Sequence, residues 1–154
     1  MDYYMDIVIK KQDIEKIGLK EMYFEWSGED HSYKPTRYAT NDHIEFEQIE
    51  NSYDIFDSFG ITLEKEYIGL GLKSDLLQEL EYFVNSEAKE LIANSLLEFL
   101  EGMTRLSFFY VFLIREDEDI KESYEIISEQ EMRKKIYESM NWDAPKDVVL
   151  YKNI

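Results

Sequence analysis

The sequence predicts an α+β fold in which helices pack on a mainly antiparallel sheet. Strand-like patterns dominate the first 72 residues, a long segment with one apolar helical face follows, and more strand-like segments come after it. Doubly wound folds alternate strands and helices along the chain, so this order argues against them. We therefore expect a single acidic α+β domain over residues 1–154.

The composition indicates a folded chain. Hydrophobic residues make up 44% of the sequence and aromatic residues 15%, with 12 Tyr, 9 Phe and 2 Trp. Disordered chains usually combine high net charge with few aromatic residues, which is not the case here. Only 6 Gly and 2 Pro leave little room for linker sequence, and no repeat of solenoid period is visible.

Four strands are expected before residue 73. Alternating or β-rich patterns place them at 4–10, 21–26, 43–47 and 61–72. A helical turn closed by Gly18 is expected after the first strand. Residues 27–41, which contain Gly28 and Pro35, are expected to form a polar loop. Gly69 and Gly71 indicate a bulge or a close approach inside the fourth strand.

Two helices are expected in the second half of the chain. Between residues 74 and 101, apolar residues recur at three- and four-residue steps and acids cover the opposite face. Ser74 or Asp75 would cap this helix, and Gly102 would end it. The run from Ser128 to Glu131 is a capping box, which predicts a second helix over about 128–141.

Three strands are expected around the second helix. Residues 106–114 are almost continuously apolar, which is typical of a strand covered on both faces. A charged turn follows, and residues 123–127 are expected to return as the antiparallel partner of that strand. Residues 148–151 are expected to form a closing strand.

The charge of the chain is strongly negative. Its 34 Asp and Glu outnumber its 17 Lys and Arg, which gives a net charge of −17. Residues 42–66, 75–101 and 116–131 carry −7, −6 and −7, so the rest of the chain is close to neutral at +3. Nucleic acid and anionic membrane are therefore poor direct partners for most of this surface.

Patterns that signal catalysis or cofactor binding are weak or missing. The chain has no cysteine and no Gly-x-Ser-x-Gly motif. Its two histidines, His31 and His43, are expected to lie on the surface. The segment from Gly69 to Ser74 lacks the spacing of a phosphate loop, and the acids at 116–119 lack the glycine of a calcium loop. We expect no enzyme activity, no cofactor and no metal site.

Acids interleaved with aromatic residues indicate a protein-binding surface. Tyrosine offers a large rigid contact with one polar tip, and carboxylates beside it attract the Lys and Arg of a partner. An alternative interpretation is that Tyr53, Phe56 and Phe59 pack in the core while the acids face water. The residues expected to bind a partner are Glu47, Glu50, Tyr53, Asp54, Asp57, Glu116, Asp117, Glu118 and Asp119.

These features favour a cytoplasmic protein that binds and inhibits a basic protein. The hypothesis most consistent with them is an immunity protein that neutralises a basic toxin such as a nuclease. Alternatives are a phage or mobile-element mimic of nucleic acid directed against a defence protein, an enzyme with an unrecognised site, and an accessory domain that self-associates. The acidic N-terminus does not resemble a signal peptide, and the longest apolar run is too short to span a bilayer.

Overall fold

The computed structural model describes residues 3–41, 44–49, 65–72, 86–103, 105–115, 124–126, 131 and 148–153. Within them lie eight strands, one α-helix and two short 3-10 helices at Lys11–Asp13 and Glu15–Ile17. The helix, α1, spans Ser86–Met103. The strands are β1 Tyr3–Lys10, β2 Lys20–Ser27, β3 Ser32–Ala39, β4 Glu45–Gln48, β5 Tyr67–Leu72, β6 Phe109–Arg115, β7 Tyr124–Ile126 and β8 Val148–Asn153.

All eight strands belong to one sheet with the order β2-β3-β4-β5-β1-β6-β8-β7. Every neighbouring pair is antiparallel except β7 and β8, which are parallel. The expectation of a mainly antiparallel sheet is therefore confirmed. The first strand of the chain becomes central because β5 and β6 pair with its two edges.

The hydrophobic core combines the sheet with the C-terminal half of α1. Alternate residues of β1 point to one face, where Met5, Ile7 and Ile9 are almost completely buried. The same cluster contains Leu96, Phe99, Leu100 and Met103 of α1 together with Phe46, Leu70 and Phe109 of the sheet. Its clearest contact joins the rings of Phe46 and Phe99, whose centroids are 5.0 Å apart.

The opposite face of the central strands is also buried. Consecutive residues 108–111 are all buried, as expected for a segment covered on both sides. The ring of Phe108 lies 4.6 Å from that of Tyr67 and 5.1 Å from that of Tyr110. In the part of the chain that the structure describes, no helix is long and apolar enough to cross a membrane.

The expectation of a polar loop at 27–41 is wrong, because Ser32–Ala39 forms strand β3. Only Arg37, Tyr38 and Ala39 of this strand pair with β4. Pro35 lies beyond that pairing, so its missing N–H removes no hydrogen bond to β4. The polar character of the segment reflects its position near the edge of the sheet.

The pairing expected for residues 123–127 is also wrong. Strand β7 does not pair with β6 but lies parallel to β8, which separates the two. The six residues of β8 are long enough to pair on both sides, whereas the three residues of β7 form a short edge.

Other expectations are confirmed or refined. Gly18 adopts a left-handed conformation, with φ 75°, where it ends the second 3-10 helix. Strand β5 pairs with β1 residue by residue, so its glycines mark no bulge, and Gly71 marks a close approach to Asp6. Residues 74–85 of the expected long helix lie outside the described residues, and so does the expected helix at 128–141 apart from Glu131.

Candidate protein-binding surface

Strands β2 and β3 form a hairpin at one edge of the sheet, and it carries a patch of exposed aromatic side chains. We call Lys20–Ala39 the aromatic hairpin. Aromatic rings usually bury most of their surface, yet four of them here are more than half exposed. The exposed fractions are 56% for Tyr23, 53% for Phe24, 56% for Trp26 and 68% for Tyr33. These four residues are called the aromatic patch.

The aromatic rings near the tip of the hairpin pack against one another. Trp26 and Tyr33 are cross-strand partners, and their rings meet edge to face with centroids 5.2 Å apart. The ring of His31 lies 6.3 Å from that of Trp26. Aromatic cross-strand pairs stabilise hairpins, so these exposed rings are held in place and lose little freedom when a partner binds.

Tyr23 has a backbone conformation that is unusual for a bulky residue in a strand, with φ 50°. Two contacts hold it there. The hydroxyl of Thr36 donates a hydrogen bond to the carbonyl oxygen of Tyr23 at 2.9 Å, and the guanidinium of Arg37 lies 4.8 Å from the centre of the Tyr23 ring. Such outliers persist only where the surroundings support them, and they cluster at functional sites.

Arg37 contacts both Tyr23 of the aromatic patch and Glu47 of strand β4. It is the cross-strand partner of Glu47, and its Nη2 atom lies 3.3 Å from Oε1 of that residue. An open polar cleft of about 390 Å³ lies here, lined by Glu25, Thr36, Arg37, Glu47 and Gln48. Its side chains carry two carboxylates and one guanidinium, which leaves one negative charge uncompensated.

The aromatic hairpin is nearly neutral within a very acidic chain. Lys20, Lys34 and Arg37 are opposed by Glu21, Glu25, Glu29 and Asp30, a net charge of −1 against −17 for the whole molecule. Lys34 also forms an ion pair with Asp30 beside the turn. The molecule therefore presents an aromatic surface with little charge of its own, surrounded by a negative field.

Of the nine residues expected to bind a partner, the structure describes Glu47 alone. It lies on β4 with 46% of its side chain exposed and is paired with Arg37. It therefore lies beside the aromatic hairpin. The other eight lie outside the described residues: Glu50, Tyr53, Asp54, Asp57, Glu116, Asp117, Glu118 and Asp119.

The aromatic patch was not predicted from the sequence. Residues 21–26 were expected to form a strand, and Tyr33 was placed in a loop. One signal was present: Tyr23 and Phe24 are adjacent, so their side chains point to opposite faces of β2. A strand at the edge of a sheet is seldom covered on both faces, so at least one of these rings had to be exposed.

A second unusual group is the carboxyl of Asp6, in the middle of β1. Burial raises the pKa of Asp6 from 3.8 to about 7. Its neighbour across the strands is Gly71, which leaves space for this carboxyl. Among the described residues, no group of three or more His, Asp or Glu side chains is placed to hold a metal ion.

Comparisons of this chain with protein-family models, with curated proteins and with solved structures find no match.

Proposed function

We propose that this chain is an acidic inhibitor that binds a basic protein, with the aromatic patch as its anchor. The observation that carries the proposal is the exposure of four large rings on one edge hairpin. The rings of Trp26 and Tyr33 are in contact. Exposed apolar surface marks interaction sites in soluble proteins, and Tyr and Trp dominate the binding energy of interfaces. The net charge of −17 attracts basic partners and accelerates their encounter.

The form of this function that we favour is an immunity protein that neutralises a basic toxin such as a nuclease. The active site of a nuclease is positive because its substrate is a polyanion, so an acidic protein with aromatic anchors is complementary to it. A cytoplasmic location suits this role, because the toxin has to be neutralised where its substrate lies.

A mimic of nucleic acid directed against a defence protein is the second candidate. Such a mimic needs a long acidic stripe in which carboxylates replace phosphates. The compact aromatic hairpin, with a net charge of only −1, favours the immunity protein over the mimic. An enzyme is the third candidate, with the carboxyl of Asp6 as the group of raised pKa.

The proposal also includes the architecture expected from the sequence, in which a long helix covers one face of the sheet. The contact between Phe46 and Phe99 supports this arrangement. It would leave the edge hairpin accessible to another protein.

The test is affinity capture from a lysate of the source organism at low salt, with identification by mass spectrometry. Three baits are compared: the unaltered chain, the double variant Trp26→Ala/Tyr33→Ala, and Leu91→Ala. Leu91 is 70% exposed on α1, so its variant removes apolar surface outside the patch. We expect a basic protein on the first and third baits and a roughly thirtyfold or larger loss of affinity for the double variant.

The purified partner then decides between the candidates. Inhibition of a toxic nuclease at equal molar ratio supports an immunity protein, and capture of a host defence protein supports the mimic. A partner retained equally by all three baits contradicts the role of the aromatic patch.

Measurement of the association rate tests the acidic residues that the sequence predicts to bind a partner. The variants Asp54→Ala/Asp57→Ala and Glu116→Ala/Asp117→Ala each remove two charges, and the control Glu15→Ala/Glu98→Ala removes two exposed charges elsewhere. At low salt we expect the first two to slow association several-fold more than the control. Equal effects of all three would mean that only the net charge matters.

A further inference from the structure

We infer that the polar cleft beside the aromatic patch binds an arginine side chain of the partner. This inference rests on the proposed function and adds the chemistry that the partner must offer. The cleft is lined by Glu25, Thr36, Arg37, Glu47 and Gln48 and has a volume of about 390 Å³. Small-molecule sites typically have volumes of roughly 300–1,000 Å³, so the cleft is large enough for one long side chain.

The charges of the cleft select a cation. Arg37 already pairs with Glu47, at 3.3 Å, and its guanidinium stacks against the ring of Tyr23. The single cation of the cleft, the guanidinium of Arg37, is therefore already engaged by Glu47 and Tyr23. Glu25 forms no ion pair among the described residues. A guest therefore meets one uncompensated carboxylate inside a molecule of net charge −17, which disfavours an anion and favours a cation.

The shape and the neighbours of the cleft favour arginine over lysine. A planar guanidinium has five N–H donors in a fixed arrangement, so it can bind carboxylates on two sides and also the oxygens of Thr36 and Gln48. Lysine has a compact ammonium that uses fewer of these groups.

The position of Glu25 connects the cleft with the aromatic patch. Successive side chains of a strand alternate in direction, so Glu25 points away from its two aromatic neighbours while remaining on the same hairpin. A partner segment at this edge of the sheet would bring an apolar surface to the rings and an arginine to the cleft. The rings would supply binding energy, and the cleft would supply selection for a basic sequence.

The experiment uses Nα-acetyl-arginine amide as the probe and records NMR shifts of the 154-residue chain during titration. The citrulline analogue has nearly the same shape without the charge, and Nα-acetyl-glutamate amide carries the opposite charge. We expect saturable shifts at the cleft residues with the arginine probe alone, with a dissociation constant on the order of 1 mM.

Two charge-matched variants locate the site. Glu25→Gln removes the free carboxylate of the cleft, and Glu29→Gln removes an exposed carboxylate in the turn of the same hairpin. We expect Glu25→Gln to weaken binding of the arginine probe about threefold or more and Glu29→Gln to leave it unchanged. Equal shifts with citrulline, stronger binding of the glutamate probe, or equal effects of the two variants would overturn the inference.

Its failure can be distinguished from failure of the proposed function. If the partner depends on Trp26 and Tyr33 but the arginine probe does not bind, the inference is wrong and the function stands. If the probe binds as expected but no partner depends on the aromatic patch, the proposed function is wrong and the cleft remains an arginine site.

Discussion

Asp6 of β1 and Gly71 of β5 are cross-strand neighbours, and the carboxyl of Asp6 occupies the space that a side chain at position 71 would need. A Cβ atom at that position would lie 3.1 Å from Oδ1 of Asp6 and 3.6 Å from Cγ1 of Ile49. The close approach of Asp6, and not the backbone conformation, is therefore what favours glycine at this position.

The first prediction concerns this contact. Gly71→Ala should lower the free energy of unfolding by about 1–3 kcal/mol, because the new methyl group is confined between the carboxyl and Ile49. Gly28→Ala is the matched control, since no atom lies within 4 Å of its Cβ position. Urea unfolding followed by circular dichroism measures both variants. Equal stability of the two would mean that Asp6 moves aside without cost.

The second prediction concerns pH. Burial raises the pKa of Asp6 from 3.8 to about 7, so the folded chain binds this proton more tightly than the unfolded chain does. The stability that Asp6 contributes is therefore fully present below about pH 4 and is lost as the pH rises through about 7. Because Asp6 keeps some solvent exposure, we expect a loss on the order of 2 kcal/mol.

Asp6→Asn keeps the shape of the neutral acid and removes the titration. This variant should match the unaltered chain near pH 4 and exceed its stability near pH 8. Glu98→Gln, which removes an exposed charge on α1, is the control for the change in net charge. If Asp6→Asn and the unaltered chain lose stability in parallel between pH 4 and 8, the carboxyl of Asp6 is ionised in the folded state without penalty.

The sequence was sufficient to predict the elements that have strong apolar patterns. Strand β1 and helix α1 follow from periodicity, and most of β6 follows from its continuous apolar run. The patterns failed where position in the sheet outweighs composition. Strand β3 is polar and contains Pro35. A proline is tolerated at this position because the short strand β4 does not pair with it.

The candidate site was harder to predict than the fold, for a physical reason. An aromatic residue in an alternating strand has the same pattern whether a second layer covers it or not. Exposure of Trp26 and Tyr33 depends on β2 being at the edge, and strand order is set by long-range pairing that local patterns do not record. Glu47 was expected to bind a partner, and this stays a prediction; its pairing with Arg37 depends on the same strand order.

The third prediction tests the contact between helix and sheet. Phe99→Ala should lower the free energy of unfolding by about 3–5 kcal/mol, because its buried ring packs 5.0 Å from that of Phe46. Leu91→Ala, on the exposed side of the same helix, should change it by less than about 0.5 kcal/mol. Chemical denaturation measures both. A loss below about 1 kcal/mol for Phe99→Ala would mean that α1 is not held against the sheet through this ring.

The fourth prediction separates binding from stability at the aromatic patch. Trp26→Ala and Tyr33→Ala should each lower the free energy of unfolding by no more than about 1 kcal/mol. More than half of each side chain already contacts water, so truncation mainly removes one edge-to-face ring contact. Phe46→Ala, which removes a ring of similar size from the core, should cost about 3–5 kcal/mol.

Urea unfolding at equal pH and salt compares these three variants with the unaltered chain. Small losses at positions 26 and 33 would mean that folding does not require these rings, which leaves binding as the explanation for their exposure. If either variant lost more than about 2 kcal/mol, its ring would belong to the structural core, and the aromatic patch would no longer support a binding function.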